Sequence, residues 1–180
     1  MNWKKVFKIL APISTILRII APLFIFTYPI YVTLAAILLD WFDGEFYYQW
    51  KIKRIIYNYF DKSLDLYWYS ITLAYAYFNL PYFHLLLGLY LLRFTGHIIF
   101  YLSKSDKAFI YFPNIFEFVF IYILVINRVG LNSRLLEPPL FYKVLIILSF
   151  IKIIQEMYAH KFSLPINNIF PEWMRGPDKV

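Results

Sequence analysis

Cysteine is absent from this sequence, which removes disulfides and thiolate–metal sites from consideration. Charge is scarce, at 16% of residues, and it is missing altogether from Ile19–Leu39 and from Leu66–Leu92. Each of these runs exceeds the roughly 20 residues a helix needs to cross a hydrocarbon core. A soluble helix keeps a polar face, so uninterrupted apolar sequence of this length argues against a soluble domain. Internal repeats, low-complexity tracts and a second domain are also missing. The start, MNWKKVFKIL, is basic, but Pro12, Arg18 and Pro22 interrupt the apolar stretch behind it and no small-x-small cleavage site follows, so a cleaved signal peptide is not expected.

What is present is apolar and basic. Hydrophobic residues make up 61% of the chain, the mean hydropathy is +0.57 and the net charge is +7. A soluble domain has about 45–50% apolar residues. The pattern predicts an all-α integral membrane bundle of six helices after a short basic amphipathic segment. The expected spans are 9–27, 29–44, 55–80, 82–103, 109–128 and 139–159, with Pro81 and the Pro138–Pro139 pair marking ends where the backbone ladder cannot continue. Residues 1–160 form the membrane domain and 161–180, rich in proline, an irregular cytoplasmic tail. Lys4, Lys5, Lys8, Lys51, Lys53, Arg54, Lys104, Lys107, Lys161, Arg175 and Lys179 fall on one side of such a bundle, and Arg128 and Arg134 on the other. That asymmetry places both termini in the cytoplasm, as in a multi-pass protein of the cytoplasmic (inner) membrane. Positive charge interleaved with apolar runs suits anionic membrane lipids rather than nucleic acid.

Residues 40–65, DWFDGEFYYQWKIKRIIYNYFDKSLD, hold four aspartates at the edges of this apolar sequence. Asp40 and Asp43 are three apart near the end of the second span, and Asp61 and Asp65 four apart near the start of the third, so each pair shares a helix face. A short loop joins the two helices, and the acidic faces can meet. Four carboxylates side by side need compensating charge. A hard divalent cation with oxygen ligands, Mg²⁺ or Mn²⁺, would supply it. The alternative is solvated acids at a helix end, with Asp61 paired to Lys62 or Arg54.

The stretch resembles the signature of the CDP-alcohol phosphatidyltransferase family, D-x-x-D-G-x-x-A-R-(eight residues)-G-x-x-x-D-x-x-x-D. Asp40, Asp43, Gly44, Asp61 and Asp65 stand at the required spacing. TILRIIAPLFIF (residues 15–26) resembles the family's first helix, with Arg18 at its arginine. The resemblance implies transfer of a phosphoalcohol group from a CDP-linked lipid donor, such as CDP-diacylglycerol, to a small alcohol acceptor, with release of CMP, in phospholipid biosynthesis. It implies metal ligation by Asp40, Asp43, Asp61 and Asp65, with Asp65 also the catalytic base, and nucleotide contacts at Gly44 and at positions 47, 48 and 57. Family members are often dimers, so a homodimer is one arrangement it implies. Three positions depart from the pattern: Tyr47 replaces the alanine, Tyr48 the arginine and Tyr57 the second glycine. These bulky residues stand where the cytidine would approach. Lys51, Lys53 or Arg54 could replace the arginine, the donor could differ, or the chain could be a family member without turnover. An intramembrane prenyltransferase, which also uses aspartates and Mg²⁺, carries two separated aspartate motifs in a larger bundle.

Later helices offer a candidate acceptor-binding set. Arg93 and His97 share a face of the fourth span, and Glu117 lies in the fifth. Arg93 would hold a phosphate or carboxylate; equally, it could form an internal pair with Glu117. Arg18 could snorkel to the surface. Glu156 and His160 share a face at the end of the last span.

Overall fold

A computed structural model describes residues 3–48 and 53–157. Among these residues the chain is all-helical, with seven α-helices, two short 3₁₀ turns and no strand. The helices are α1 (Trp3–Ile20), α2 (Pro29–Tyr48), α3 (Arg54–Asn79), α4 (Phe83–Ser103), α5 (Ala108–Tyr111), α6 (Ile115–Val129) and α7 (Leu140–Met157). The tail 161–180 and His160 lie outside the described residues.

Three boundaries differ from expectation for local reasons. The basic N-terminal segment is not separate: α1 starts at Trp3 and takes it in. α1 stops at Ile20 and passes into a 3₁₀ turn, Ala21–Phe24, with Pro22 at its second position. Pro29 then opens α2, at the first helical position, where the missing N–H costs nothing. The expected fifth span breaks at Phe112–Asn114, where Pro113 interrupts the ladder and the Asn114 side chain accepts from the Glu117 N–H at 3.3 Å to cap α6.

α4 is the one described helix long and apolar enough to cross a membrane, and Pro29–Phe42 is a shorter apolar helix. Charge is one reason that other helices do not qualify. α3 carries Arg54, Asp61, Lys62 and Asp65, and α7 carries Lys143, Lys152 and Glu156.

The chain divides into two compact units, one reaching to Trp68 and the other beginning at Tyr69, so α3 contributes to both. In the first, α1 packs along α2 through the intervening 3₁₀ turn. The buried face of α1 is Ala11, Ser14 and Arg18; that of α3 is Asp61, Leu64, Asp65 and Trp68. Both follow the i, i+3, i+4, i+7 spacing of one helix face. The Tyr67 hydroxyl donates to the Ile19 carbonyl at 2.8 Å, satisfying one of the acceptors a helix C-terminus leaves open.

In the second unit, α6 supplies more of the buried apolar core than any other helix, including Phe116, Val119, Phe120, Ile123 and Leu124. Tyr75 meets Phe120 edge-on and Tyr69 meets Phe116 in the same way. α4 packs against α5 and α6, and α7 against α6. The α4–α5 approach depends on Gly96, where a Cβ would stand 2.7 Å from the Cβ of Phe112.

Both units bury charged side chains beside an apolar core and expose many large apolar ones. Arg18, Asp61, Asp65, Arg93, Lys152 and Glu156 are buried. Ile9, Ile13, Ile16, Leu17 and Ile20 of α1 are exposed, as are Tyr142, Ile146, Ile147, Phe150, Ile151 and Ile154 of α7.

Candidate metal and phosphate site

The acidic stretch forms a cluster inside the first unit. Asp61 and Asp65 are one turn apart on the buried face of α3, and Asp40 lies about three turns into α2. Each of the three offers a carboxylate oxygen within 4.8 Å of the others. Asp61 and Asp65 are buried, while the Asp40 side chain is 55% exposed, so the cluster has a closed floor and an open edge.

At its centre is Arg18, with only 6% of its side chain exposed. Its Nη2 donates to Asp40 Oδ1 and Asp65 Oδ1, each at 2.9 Å, and its Nη1 to Asp61 Oδ1 at 3.0 Å. Lys62 adds a second cation from the other side. Its Nζ is 2.7 Å from Asp61 Oδ2 and 2.6 Å from Asp65 Oδ2. Both oxygens of Asp61 and both oxygens of Asp65 therefore take part in ion pairs. Among the described residues, two cations face three carboxylates, and one negative charge is left over. A buried arrangement of this kind persists because every charge has a hydrogen-bonded partner; alone, each would carry a desolvation cost of several kcal/mol.

The donor set fits a hard cation. Carboxylate oxygens are the ligands that Mg²⁺ and related ions take, and Mg²⁺ holds them at about 2.1 Å, so opposite ligands stand about 4.2 Å apart. A cluster spanning 4.8 Å needs to tighten only slightly to meet that geometry.

The remaining signature positions divide. Tyr57, in the first turn of α3, is half-buried and lies one turn before Asp61 on the same helix. The side chains of Asp43, Gly44, Tyr47 and Tyr48 lie outside the described residues; their backbone continues α2. The pairing of Asp61 with Lys62 that the sequence allowed is present. Arg18 does not snorkel outward. It turns inward, and its place at the centre of the cluster was not anticipated from the sequence. The available signal was a lone arginine beside a long uncharged run, since an ionisable group in such surroundings requires a partner.

The second unit holds a separate buried polar network. Arg93 Nη1 donates to the Phe112 carbonyl at 3.0 Å, and the guanidinium lies over the Phe109 ring at 4.1 Å. Its carboxylate partner is Glu156 at 3.6 Å, which also accepts from the Asn114 N–H and lies 3.7 Å from Lys152. His97 shares the α4 face with Arg93, and its Nδ1 is 3.0 Å from the Arg93 carbonyl. Glu117 takes a different partner, accepting from Asn114 Nδ2 at 2.8 Å. The three residues read from the sequence as an acceptor set thus belong to one neighbourhood, but the internal ion pair runs from Arg93 to Glu156 rather than to Glu117. Lys152, also buried, was not identified from the sequence.

The chain matches no protein-family model, no curated protein and no solved structure.

Proposed function

We propose that the chain is a membrane-embedded, metal-dependent transferase that moves a phosphoalcohol group from a CDP-linked lipid donor to an alcohol acceptor and releases CMP. The observation that carries this reading is the convergence of Asp40, Asp61 and Asp65, three of the four signature aspartates, into one cluster within 4.8 Å. Buried charged side chains and long exposed apolar faces on α1 and α7 support a lipid environment, since water disfavours such faces. The apolar helix α4 and the one-sided distribution of Lys and Arg agree with a multi-pass arrangement with cytoplasmic termini.

In this reading Asp40, Asp43, Asp61 and Asp65 hold Mg²⁺ or Mn²⁺, which when bound neutralises the donor diphosphate and the charge that develops on CMP. Asp65 accepts the proton of the acceptor hydroxyl. The acceptor oxygen forms its bond to the phosphorus that carries the lipid alcohol, and the bond from that phosphorus to the bridging oxygen breaks. CMP leaves with that oxygen and the electron pair. The open edge at Asp40 gives the lipid and the acceptor access from the membrane surface.

The test is CMP release by purified protein with Mg²⁺ or Mn²⁺, CDP-diacylglycerol and a panel of small alcohols, glycerol phosphate, serine and inositol among them. Turnover with one acceptor supports the assignment. Silence across the panel, with metal still bound, favours a second reading that one observation recommends: Arg18 and Lys62 already pair with both oxygens of Asp61 and Asp65, so the aspartates could serve as a structural ion cluster in a family member without turnover.

A further inference from the structure

Resting on the metal-site reading given above, we propose that Arg18 and the divalent cation are alternative occupants of the aspartate cluster, and that metal binding releases the Arg18 guanidinium to hold a phosphate group of the substrate. Three observations lead here. First, Arg18 touches all three carboxylates that the metal would need, Asp40, Asp61 and Asp65. A metal about 2.1 Å from the same oxygens would lie against the guanidinium with like charge. Arg18 is therefore the group that must give way.

Second, the displaced group has an obvious alternative partner. A guanidinium is a planar fork that binds phosphate oxygens through paired N–H donors, and it cannot shed its charge. Leaving the cluster, it needs another anion within reach of its flexible stem. Third, the sequence has tyrosine, Tyr48, at the position where the signature calls for arginine. Arg18 already stands at the cluster, from a different helix, and can fill that vacant role. The arrangement makes metal and phosphate binding cooperative. Without metal the arginine is tied to the aspartates, and with metal it is free to contact the ligand. It also offsets most of the cluster's negative charge in the interval when no metal is bound.

The test uses Mn²⁺ binding by electron paramagnetic resonance, and inorganic pyrophosphate binding at saturating free Mn²⁺, for the full chain in detergent micelles. Arg18→Gln should bind Mn²⁺ at least tenfold more tightly than wild type, because no internal cation competes. The same variant should bind pyrophosphate at least tenfold more weakly. A merely structural arginine would not produce this crossing pattern, since general damage weakens both. If Arg18→Gln folds only with Mn²⁺ present, Arg18→Lys serves instead: it keeps one cation but loses the fork, and both affinities should move in the same directions by less. Equal Mn²⁺ affinity in wild type and a folded variant, or loss of both affinities together, overturns the exchange while leaving the metal site standing. No Mn²⁺ binding by any form overturns the metal-site reading and the exchange with it.

Discussion

Lys62→Met offers a direct test of the buried ion cluster. Methionine keeps the length of the side chain and its helix propensity, so the change is confined to charge. Lys62 Nζ lies 2.7 Å from Asp61 and 2.6 Å from Asp65, in surroundings that leave the lysine 20% exposed. At an effective dielectric constant of about 20, each contact is a gross attraction of about 6 kcal/mol. Most of that is offset by the desolvation of the partners. What remains when one member of a buried pair is removed is about 3–5 kcal/mol. The partial exposure of Lys62 points to the lower end, about 3 kcal/mol. For a chain of this size, that corresponds to a fall of roughly 6–12 °C in melting temperature. The loss has a definite cause, since Arg18 alone would then face three carboxylates. Removing one carboxylate as well should restore the balance. Lys62→Met with Asp61→Asn should therefore be more stable than Lys62→Met alone, a strongly non-additive pair. Mn²⁺ at about a hundred times its dissociation constant should return about 2.7 kcal/mol to the single variant. The assay is thermal melting by circular dichroism in detergent micelles, with and without a chelator. A double variant that melts at or below the single variant would refute the charge-balance reasoning.

Three further outcomes follow from the same structure. In the proposed reaction Asp65 is the base, so Asp65→Asn, which keeps one oxygen ligand, should lower turnover by about 10²–10⁴ while Mn²⁺ binding stays largely intact; equal loss of both would contradict the base role. Tyr47→Ala with Tyr57→Gly should raise affinity for CDP compounds, read by equilibrium dialysis with CMP or CDP; unchanged binding would mean that the nucleotide lies away from these positions. Gly96→Ala drives a Cβ to 2.7 Å from the Cβ of Phe112, an atom fixed close to the backbone, and should cost about 1–3 kcal/mol in a melting experiment; wild-type stability would show that α4 and α5 can part without penalty.

Features set by neighbouring residues were the ones legible in the sequence. Pro29 and Pro81 delimit helices because a proline acts on its own backbone, and α2, α3 and α4 begin and end close to the expected residues. The same logic was available at Pro113 and was overridden by the apolar run around it, so the break before α6 went unread. Asp61 and Asp65 share a face by their spacing alone. Their partner Arg18 is 43 and 47 positions away, and no periodicity links residues so distant. The pairing of Arg93 with Glu156 was hidden for the same reason, because it depends on how α4 and α7 pack. Charge composition, in turn, could not separate a span from a helix with a buried ionic face: α3 and α7 bury carboxylates that simple hydropathy counts against them.

The inward turn of Arg18 has a consequence for how the chain is made. Under the membrane reading, α1 is synthesised first, and its arginine must wait more than forty residues for Asp61 and Asp65 to emerge. An arginine or aspartate placed singly at the centre of a span costs about 2.5–3.5 kcal/mol on insertion, and less toward the ends. Arg18 stands in the last turn of α1, and Asp61 and Asp65 stand in the N-terminal half of α3. Neither α1 nor the start of α3 can therefore settle alone as cheaply as both can together. The ion cluster makes their insertion a joint event, and a variant that breaks it should be caught by cellular quality control before any question of catalysis arises.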